Sequence, residues 1–400
     1  GAARAVRMSA DASDTAGGAM QAILSIAIIA TLLTSLVIAL RWGRLRCVGS
    51  MPTSLFEFMA ILFTSGLDVG LIMLPLAEFP IYASEPAYQF ASPLAVEFGF
   101  WGFLVWGFYF LTTFYFCVVE PHVRLFEIPL VKLLNNAVVI GTCAFTAFLF
   151  FRYLPSYVAG ISEAARYATL AMVVLAAVYS SIDVRYVRLL SVASMWVFFA
   201  LIAGMWIAAD LRFASFMDAL VEIGSYFENL DRFVLPITDH HAFYLFWWFS
   251  WSIMIGQFVS RFVGGLRTWQ LLVALLTVPS LLIAIWFSVL YHYFANGIEV
   301  TGFFKVAMVA VGIIFVVNSL DSLIRLYTVN LDLTAARLGR RNYMLANWSA
   351  MIALVLLYQF TPLKIEWIGL LVIGLYALIY ALLFQRRAHF ARARARTAGG

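Results

Sequence analysis

The chain has 400 residues, of which 64% are hydrophobic and 12% charged, with a net charge of +5 and a mean hydropathy of +0.93. A soluble domain carries about 25% charged residues, so the composition excludes an ordinary soluble protein and indicates a polytopic membrane protein. The three cysteines, Cys47, Cys117 and Cys143, have no framework spacing, which favours neither disulfides nor a zinc site.

Eleven apolar runs are long enough to cross a bilayer, for which about 18 residues are needed. In chain order they cover residues 20–41, 53–77, 94–118, 130–152, 165–181, 187–209, 241–262, 270–293, 301–325, 344–361 and 364–385. The expected fold is therefore all-α, with about 11 transmembrane helices, a polar N-terminal tail at 1–19 and a basic C-terminal tail at 387–400.

The Lys and Arg residues of the loops are distributed unevenly between the two sides of the membrane. If the C-terminus is cytoplasmic, eighteen lie in cytoplasmic loops and tails and five on the opposite side. The positive-inside rule therefore predicts a cytoplasmic C-terminus, with the basic tail as a topological anchor that also contacts anionic lipid. A nucleic-acid partner is not expected.

Residues 210–240 interrupt the spans and contain "FASFMDALVEIGSYFENL", whose apolar residues recur at helical spacing. We expect an amphipathic linker helix here. It separates five spans at 51–209 from five at 241–386, with a peripheral helix and inside loop at 20–50. Two sets with odd span counts must have opposite orientations, which is the inverted-repeat architecture of many transporters.

The second span, "TSGLDVGLIMLPLAEF", carries Gly66, Gly70 and Pro75, which loosen or kink a helix. Interrupted spans of this kind often mark transporter binding sites, although small residues also serve close helix packing. Asp68 lies between the glycines, where a charge costs about 2.5–3.5 kcal/mol on the insertion scale. We therefore expect a functional role for this segment.

Two further spans carry clustered aromatic residues near their midpoints. In "EFGFWGFLVWGFYFL", Trp101, Trp106 and Tyr109 fall on one side of a continuous helix, and so do Trp247, Trp248 and Trp251 of "WWFSW". Rings at a common depth predict a cage for a large, weakly hydrated cation such as a quaternary ammonium group. The alternative is that these tryptophans only fill the bundle core.

The sequence resembles the betaine/choline/carnitine transporter family. The most specific match is "WWFSW" with the downstream "GQFVSRFVGGLRT", followed by the Trp-x4-Trp-x2-Tyr spacing and the glycine segment that leads to Ala77 and Glu78. The resemblance covers roughly residues 20 to 385. It implies two inverted five-helix repeats plus one extra N-terminal helix, ion-coupled import of a compound such as glycine betaine, choline or carnitine, and a homotrimer in the bacterial cytoplasmic membrane.

The resemblance also implies residue roles. The substrate-binding box would comprise Trp101, Trp106, Tyr109, Phe243, Trp247, Trp248 and Trp251, with Asp68 nearby. The ion-coupling residues would be Asp68, Leu67, Thr142, Thr146, Phe315, Asn318 and Ser319, at a helix break marked by Gly66 and Gly70. No cofactor is expected, and no metal other than sodium; the coupling ion is sodium or a proton.

Three departures from the family pattern concern this site. Asp68 replaces the middle glycine of the motif and could pair with a cationic substrate, bind sodium, carry a proton or cap a broken helix end. Asn318 replaces a threonine, which keeps an oxygen for a cation but loses the hydroxyl. One N-terminal span of the family is missing, which concerns the periphery rather than the site.

Two polar groups lie outside this pattern. Asp239, His240 and His241 are predicted to form a solvated loop rather than a metal site, because adjacent histidines diverge on a helix. Asp321, Ser322 and Arg325 are predicted to form an internal polar cluster or gate contact. The sequence favours a transporter that is not an enzyme. The alternatives are a membrane sensor that binds an osmolyte without transporting it and, less favoured, a membrane enzyme.

Overall fold

The computed structural model describes residues 2–67 and 69–397, with side chains for residues 17–67 and 70–386. The helices before the central connection are α1 Ala2–Trp42, α2 Leu55–Gly66, α3 Val69–Ser84, α4 Pro93–Trp101, α5 Leu104–Phe114, α6 Glu120–Val123, α7 Pro129–Tyr157, α8 Glu163–Ser180 and α9 Val184–Ala208. Those that follow are α10 Phe213–Glu222, α11 Gly224–Glu228, α12 Leu230–Phe233, α13 Asp239–Val259, α14 Thr268–Ala295, α15 Gly302–Asn330, α16 Ala335–Leu338, α17 Arg340–Phe360 and α18 Ile365–Thr397.

Side-chain caps account for the start of several of these helices. Ser54, Ser92, Ser162 and Thr238 each accept a hydrogen bond from the backbone N–H three residues on. Such caps satisfy one of the free N–H groups of a first turn and stabilise a helix by about 1 kcal/mol.

Within the described residues, nine helical segments are long and apolar enough to cross a membrane, and α2 with α3 forms a tenth that is bent by 55°. The eighteen-residue α8, predicted as the span 165–181, is not among these ten, although it packs between α7, α15 and α17. The predicted all-helical, polytopic fold is confirmed.

Several packing contacts made by helices of the first set of five spans have counterparts made by the corresponding helices of the second set. In the first set, α2 packs on α9, α8 and α9 pack on α15, and α5 packs on α13. In the second set, α13 packs on α18, α17 and α18 pack on α7, and α14 packs on α3. These contacts within and between the two halves are therefore related by one and the same exchange of corresponding spans.

The first spans of the two sets run in opposite directions. Near the start of α13, the hydroxyl of Tyr244 donates to Glu78 close to the end of α3 at 2.9 Å. Near the end of α13, the carbonyl of Phe262 accepts from the N–H of Thr53, just before α2, at 3.1 Å. The repeats are therefore inverted. We call the end where α3 finishes and α13 begins the outer end.

A short sheet joins the halves at the inner end, where the sequence predicted only a loop. Strand β1, Arg46–Val48, pairs antiparallel with β2, Gly264–Arg267, and Cys47 lies opposite Leu266. The N–H of Gly49 also donates to the carbonyl of Val263 at 2.9 Å. The segment that leads into α2 is thus tied to the segment that follows α13.

The structure differs from the predicted segments in the connection and the tails. Three short helices, α10, α11 and α12, occupy the linker at 210–240 instead of one continuous helix. Helix α1 begins within the predicted polar tail, and α18 continues into the basic tail. The exact domain boundaries remain predictions.

Candidate functional site

Helices α4 and α13 bring three of the predicted tryptophans into direct contact. The ring of Trp101, the last residue of α4, lies edge-on to Trp247 and Trp248, with centroids 5.8 and 5.3 Å away. Trp247 and Trp248 stack on each other at 5.7 Å with an interplanar angle of 10°. All three rings are buried in the interior of the bundle.

Helix α5 adds two rings to this group. Tyr109 packs edge-on against Trp106 at 5.1 Å and against Trp248 at 6.2 Å. A Cβ on Gly66 would lie 3.8 Å from both the Trp106 and the Tyr109 ring, so the end of α2 rests on this pair. The rings of three helices thus meet beside the point where α2 ends.

The predicted span at 94–118 is not the continuous helix that the sequence analysis assumed. It breaks after Trp101, where Gly102 is extended and Phe103 has a φ of +46°. The N–H of Phe103 is satisfied by the hydroxyl of Ser280 on α14 at 2.8 Å. The shared helix face calculated for Trp101, Trp106 and Tyr109 therefore does not exist, and the rings meet because the chain turns.

Two of the tryptophans hold this break together. The indole N–H of Trp248 donates to the carbonyl of Phe100 at 2.7 Å, and that of Trp106 donates to the carbonyl of Trp101 at 3.1 Å. Both carbonyls lie where the helix is interrupted, and unpaired backbone groups in a membrane cost several kcal/mol. Trp106 and Trp248 therefore support the local backbone as well as contributing ring faces.

The indole N–H groups of Trp247 and Trp251 have no hydrogen-bond acceptor among the described residues. Trp251 is buried, but within this part of the chain it has no ring partner at stacking distance. Phe243 lies at the outer end of the group, 6.0 Å from Trp247. An unpaired buried donor costs about 1–3 kcal/mol, so these N–H groups favour a ligand that carries an acceptor.

A small cavity of about 20 Å³, with room for about one water molecule, lies on the outer side of Trp247. It is lined by Gly70, Leu74, Glu78, Leu149, Tyr153, Tyr157, His240, Phe243, Tyr244 and Trp247. Among the described residues of the predicted box, Phe243 and Trp247 line this cavity, and Trp101, Trp106, Tyr109, Trp248 and Trp251 do not.

Four lining residues, Tyr153, Tyr157, His240 and Tyr244, were missed from the sequence. A signal existed, because Tyr153 and Tyr157 lie four residues apart on α7, as do His240 and Tyr244 on α13. That spacing puts both members of a pair on one helix face.

The candidate ion-coupling residues meet only in part. Ser319 on α15 donates to the carbonyl of Leu67 at 2.9 Å, which joins α15 to the end of α2. Asn318 donates to Ser194 at 2.7 Å, whereas its carbonyl oxygen has no partner among the described residues. Phe315 packs against Phe63 and covers this group. The oxygens of Leu67, Asn318 and Ser319 are the kind of hard ligands that bind sodium.

Two further predicted ion residues, Thr142 and Thr146, lie on α7. Thr146 donates to the carbonyl of Thr142 at 3.0 Å, and the Thr142 hydroxyl has no partner within the described part of the chain. Both are buried. In the described structure no hydrogen bond joins them to Leu67, Asn318 or Ser319, although α7 packs on α15 and Cys143 approaches the carbonyl of Leu320. Asp68 lies outside the described residues.

The stretch Asp239–His241 is not a solvated loop, so that prediction was wrong. Thr238 caps α13, and the fully buried His241 ring stacks on Phe100 at 4.4 Å and accepts from the N–H of Ile237. In the described residues no group of three or more His, Cys, Asp or Glu side chains could hold a metal.

Asp321, Ser322 and Arg325 form the internal polar cluster that their spacing predicted. Asp321 accepts from Ser180 at 2.5 Å, and Ser322 shares a hydrogen bond with Ser65 on α2 at 2.7 Å. Arg325 donates to two carbonyls after α8. These contacts tie α2, α8 and α15 together toward the inner end.

Residues 137–294 match the sequence model of the BCCT family, the betaine/carnitine/choline family transporters. The predicted resemblance to this family is confirmed. A glycine betaine/proline/choline/ectoine transporter of Vibrio parahaemolyticus is 30% identical over 116 residues, 26% of this chain and 19% of the relative. The glycine betaine transporter OpuD of Bacillus subtilis is 30% identical over 104 residues, 23% and 20% of the two chains. The matched stretch thus spans about a fifth of the length of each relative.

A sodium-coupled sialic acid symporter in a substrate-bound, outward-open state aligns over 90% of this chain and 82% of its own, with 13% identity and a TM-score of 0.39. This likeness is too distant to carry a conclusion.

Proposed function

From the confirmed resemblance to the betaine/choline/carnitine transporter family, we propose that this chain is a secondary active transporter that imports a quaternary ammonium compound together with an ion. One observation carries the proposal. Buried rings from α4, α5 and α13 pack together inside the membrane, beside the broken span α2–α3 and a cavity faced by Trp247 and Phe243.

The chemistry of these groups suits a cation with an acceptor at its other end. A desolvated ring face attracts a quaternary ammonium group with about 2 kcal/mol, and such a group loses little on leaving water. The free indole N–H groups of Trp247 and Trp251 would donate to a carboxylate or hydroxyl. Glycine betaine, choline and carnitine all combine these two features.

Transport would follow from the two inverted repeats. The coupling ion binds the oxygens at the end of α2 and on α15, the substrate fills the aromatic site, and the two halves rock around it to open alternately to each side. No covalent bond is made or broken in this cycle. The coupling ion binds one of the two open states more tightly than the other, and this difference in affinity shifts the equilibrium between them.

The proposal includes a location and an assembly. Basic residues before α2 and at the end of α13 meet at the inner end, where Arg46 lies opposite Arg267 in the β1–β2 ladder. This clustering supports a cytoplasmic inner end and C-terminus in a bacterial inner membrane, in contact with anionic lipid. The family resemblance adds a homotrimer to the proposal.

Reconstitution in liposomes tests the function directly. We expect labelled glycine betaine or choline to accumulate inside the liposomes when a sodium or pH gradient is imposed. Binding without accumulation would instead identify a sensor, and release of a modified substrate would identify an enzyme. Either result would overturn the proposal.

Replacing Ser319 by alanine is expected to raise the sodium concentration for half-maximal uptake by about tenfold. The change removes one oxygen beside the Leu67 carbonyl, and hard cations depend on the number of their oxygen ligands. Uptake measured against sodium concentration checks this. Ser25→Ala on the peripheral helix α1 is the matched control, because Ser25 only donates to the carbonyl of Gln21. Equal sodium dependence in the two variants would remove Ser319 from the ion site.

Replacing Asp68 by glycine restores the family motif and is expected to change either the ion dependence or the choice between choline and glycine betaine. The expected change is about tenfold, which corresponds to about 1.4 kcal/mol. Uptake of both substrates, with sodium removed and with a pH gradient imposed, gives the readout. Uptake that is unchanged in both respects would show that Asp68 has no functional role.

A further inference from the structure

Two buried carboxyl groups lie next to each other between the outer end and the aromatic rings. Glu78 belongs to α3 and Glu97 to α4, and each lies within electrostatic reach of the other. Glu97 is 0% exposed and Glu78 is 7% exposed. This pair lies outside the predicted substrate and ion sites.

Glu78 has the hydrogen-bond donors that an ionised carboxylate needs. The hydroxyl of Tyr82 donates to it at 2.8 Å, and that of Tyr244 at 2.9 Å. The Nε2 of His240 lies 3.4 Å from Oε1 of Glu78, which Tyr244 also contacts, without a hydrogen bond of normal geometry. The two hydroxyl groups, one from α3 and one from α13, therefore stabilise a negative charge on Glu78.

Glu97 has a different environment. Neither of its carboxyl oxygens has a hydrogen bond of normal geometry among the described residues, and its nearest polar neighbours are Glu78, Tyr82 and Trp101. In the same part of the chain, no Lys or Arg forms an ion pair with either carboxyl. Two buried carboxyl groups in contact cannot both be ionised without a large penalty, and the usual solution is one shared proton.

The titratable side chains around the pair come from α3, the turn after it, α7 and α13. They are Tyr82 on α3, Tyr88 in the turn after it, Tyr153 on α7, and His240, His241 and Tyr244 on α13. Only His240 is substantially exposed, with 39% of its side chain accessible. His240 therefore offers a route by which a proton from outer water can reach Glu78.

The pair also contacts the aromatic group directly. Glu97 and Trp101 are separated by one turn of α4, about 6 Å along the helix axis. The Tyr244 ring, whose hydroxyl binds Glu78, lies 5.6 Å from Trp101 and 5.8 Å from Trp247. A change of charge at the pair would therefore act on the rings at the outer side of the cavity.

We propose that Glu78 and Glu97 together bind one proton from the outer water, and that this proton is needed for the outer end to close over the substrate. With the proton, the pair carries one negative charge and α3 and α4 pack as observed. Without it, two negative charges repel across the α3–α4 contact and hold the outer end open. The proton returns to the outer water when this end reopens. The inference rests on the proposed transport function.

Uptake at varied external pH tests the gate. In the wild type, uptake is expected to fall by about tenfold for each pH unit above the titration of the pair, because one proton is required. In Glu97→Gln, which cannot ionise, uptake should not decline in this way. Glu85→Gln, an exposed carboxyl just after α3, is the matched control and should behave as the wild type. If uptake by Glu97→Gln declined with rising pH as the wild type does, the proposal would be overturned. It would likewise be overturned if His240→Gln abolished this decline while Glu97→Gln kept it.

A spectroscopic measurement separates this inference from transport. Infrared difference spectra of the wild type should show that the band of a protonated carboxyl group is lost when the pH is raised. This difference band should be absent from the spectra of Glu97→Gln and present in those of Glu85→Gln. Glu78→Gln, which keeps an acceptor for Tyr82 and Tyr244, should also lack the band. If liposomes take up no substrate, the proposed function fails while the spectrum still tests the proton site. If the difference band persisted in both Glu97→Gln and Glu78→Gln, the proton site would be refuted.

Discussion

Replacing Trp247 by leucine is expected to weaken the binding of glycine betaine by about 30-fold. Trp247 faces the cavity, stacks on Trp248 and contacts Trp101 edge-on, so its ring is held in place when a cation arrives. A desolvated ring face contributes about 2 kcal/mol, and every 1.4 kcal/mol is a factor of ten in affinity. Leucine keeps the site apolar but removes the ring and its free N–H.

The measurement is calorimetric titration of the purified protein with glycine betaine. Trp196→Leu is the matched control, since Trp196 lies on α9 with 59% of its surface exposed, away from the cavity. The control should bind as the wild type does. If Trp247→Leu also bound within twofold of the wild type, the aromatic group would not be the substrate site.

Much of the architecture could be predicted because hydropathy reports burial in the bilayer directly. The span positions and the grouping of Trp101 with Trp247 and Trp248 followed from apolar length and the depth of the rings. The inverted repeats followed from the odd span counts of the two sets, and the resemblance to a family implied them as well. Both kinds of information depend on local sequence, which is available without coordinates.

What could not be predicted depends on contacts between distant segments. The break after Trp101 is stabilised by Ser280 and by the indole of Trp248, which lie far along the chain, so local periodicity gave a continuous helix. His241 looked like a boundary residue but is buried on Phe100. Glu78 and Glu97 become neighbours only when α3 and α4 fold together.

A contact between distant segments also explains why position 256 carries a glycine. We expect replacement of Gly256 by alanine to be strongly destabilising. A Cβ at this position of α13 would lie 2.1 Å from the hydroxyl oxygen and 2.4 Å from the Cβ of Thr112 on α5. Thr112 also donates to the carbonyl of Ser252 on α13 at 2.7 Å. The added methyl group must therefore separate α5 from α13, at a cost of about 1–3 kcal/mol or more.

Gly374→Ala is the matched control for this change. Gly374 also lies within a membrane-spanning helix, but a Cβ there would have nothing within 4 Å. Because alanine favours a helix over glycine by about 0.5–1 kcal/mol, the control should melt at the wild-type temperature or above. In detergent, Gly256→Ala should melt several degrees lower, and it should also bind glycine betaine more weakly. The second effect is expected because α5 and α13 carry Tyr109 and Trp248, whose rings touch across this contact. A Gly256→Ala protein with the melting temperature of the control would mean that the two helices do not approach this closely.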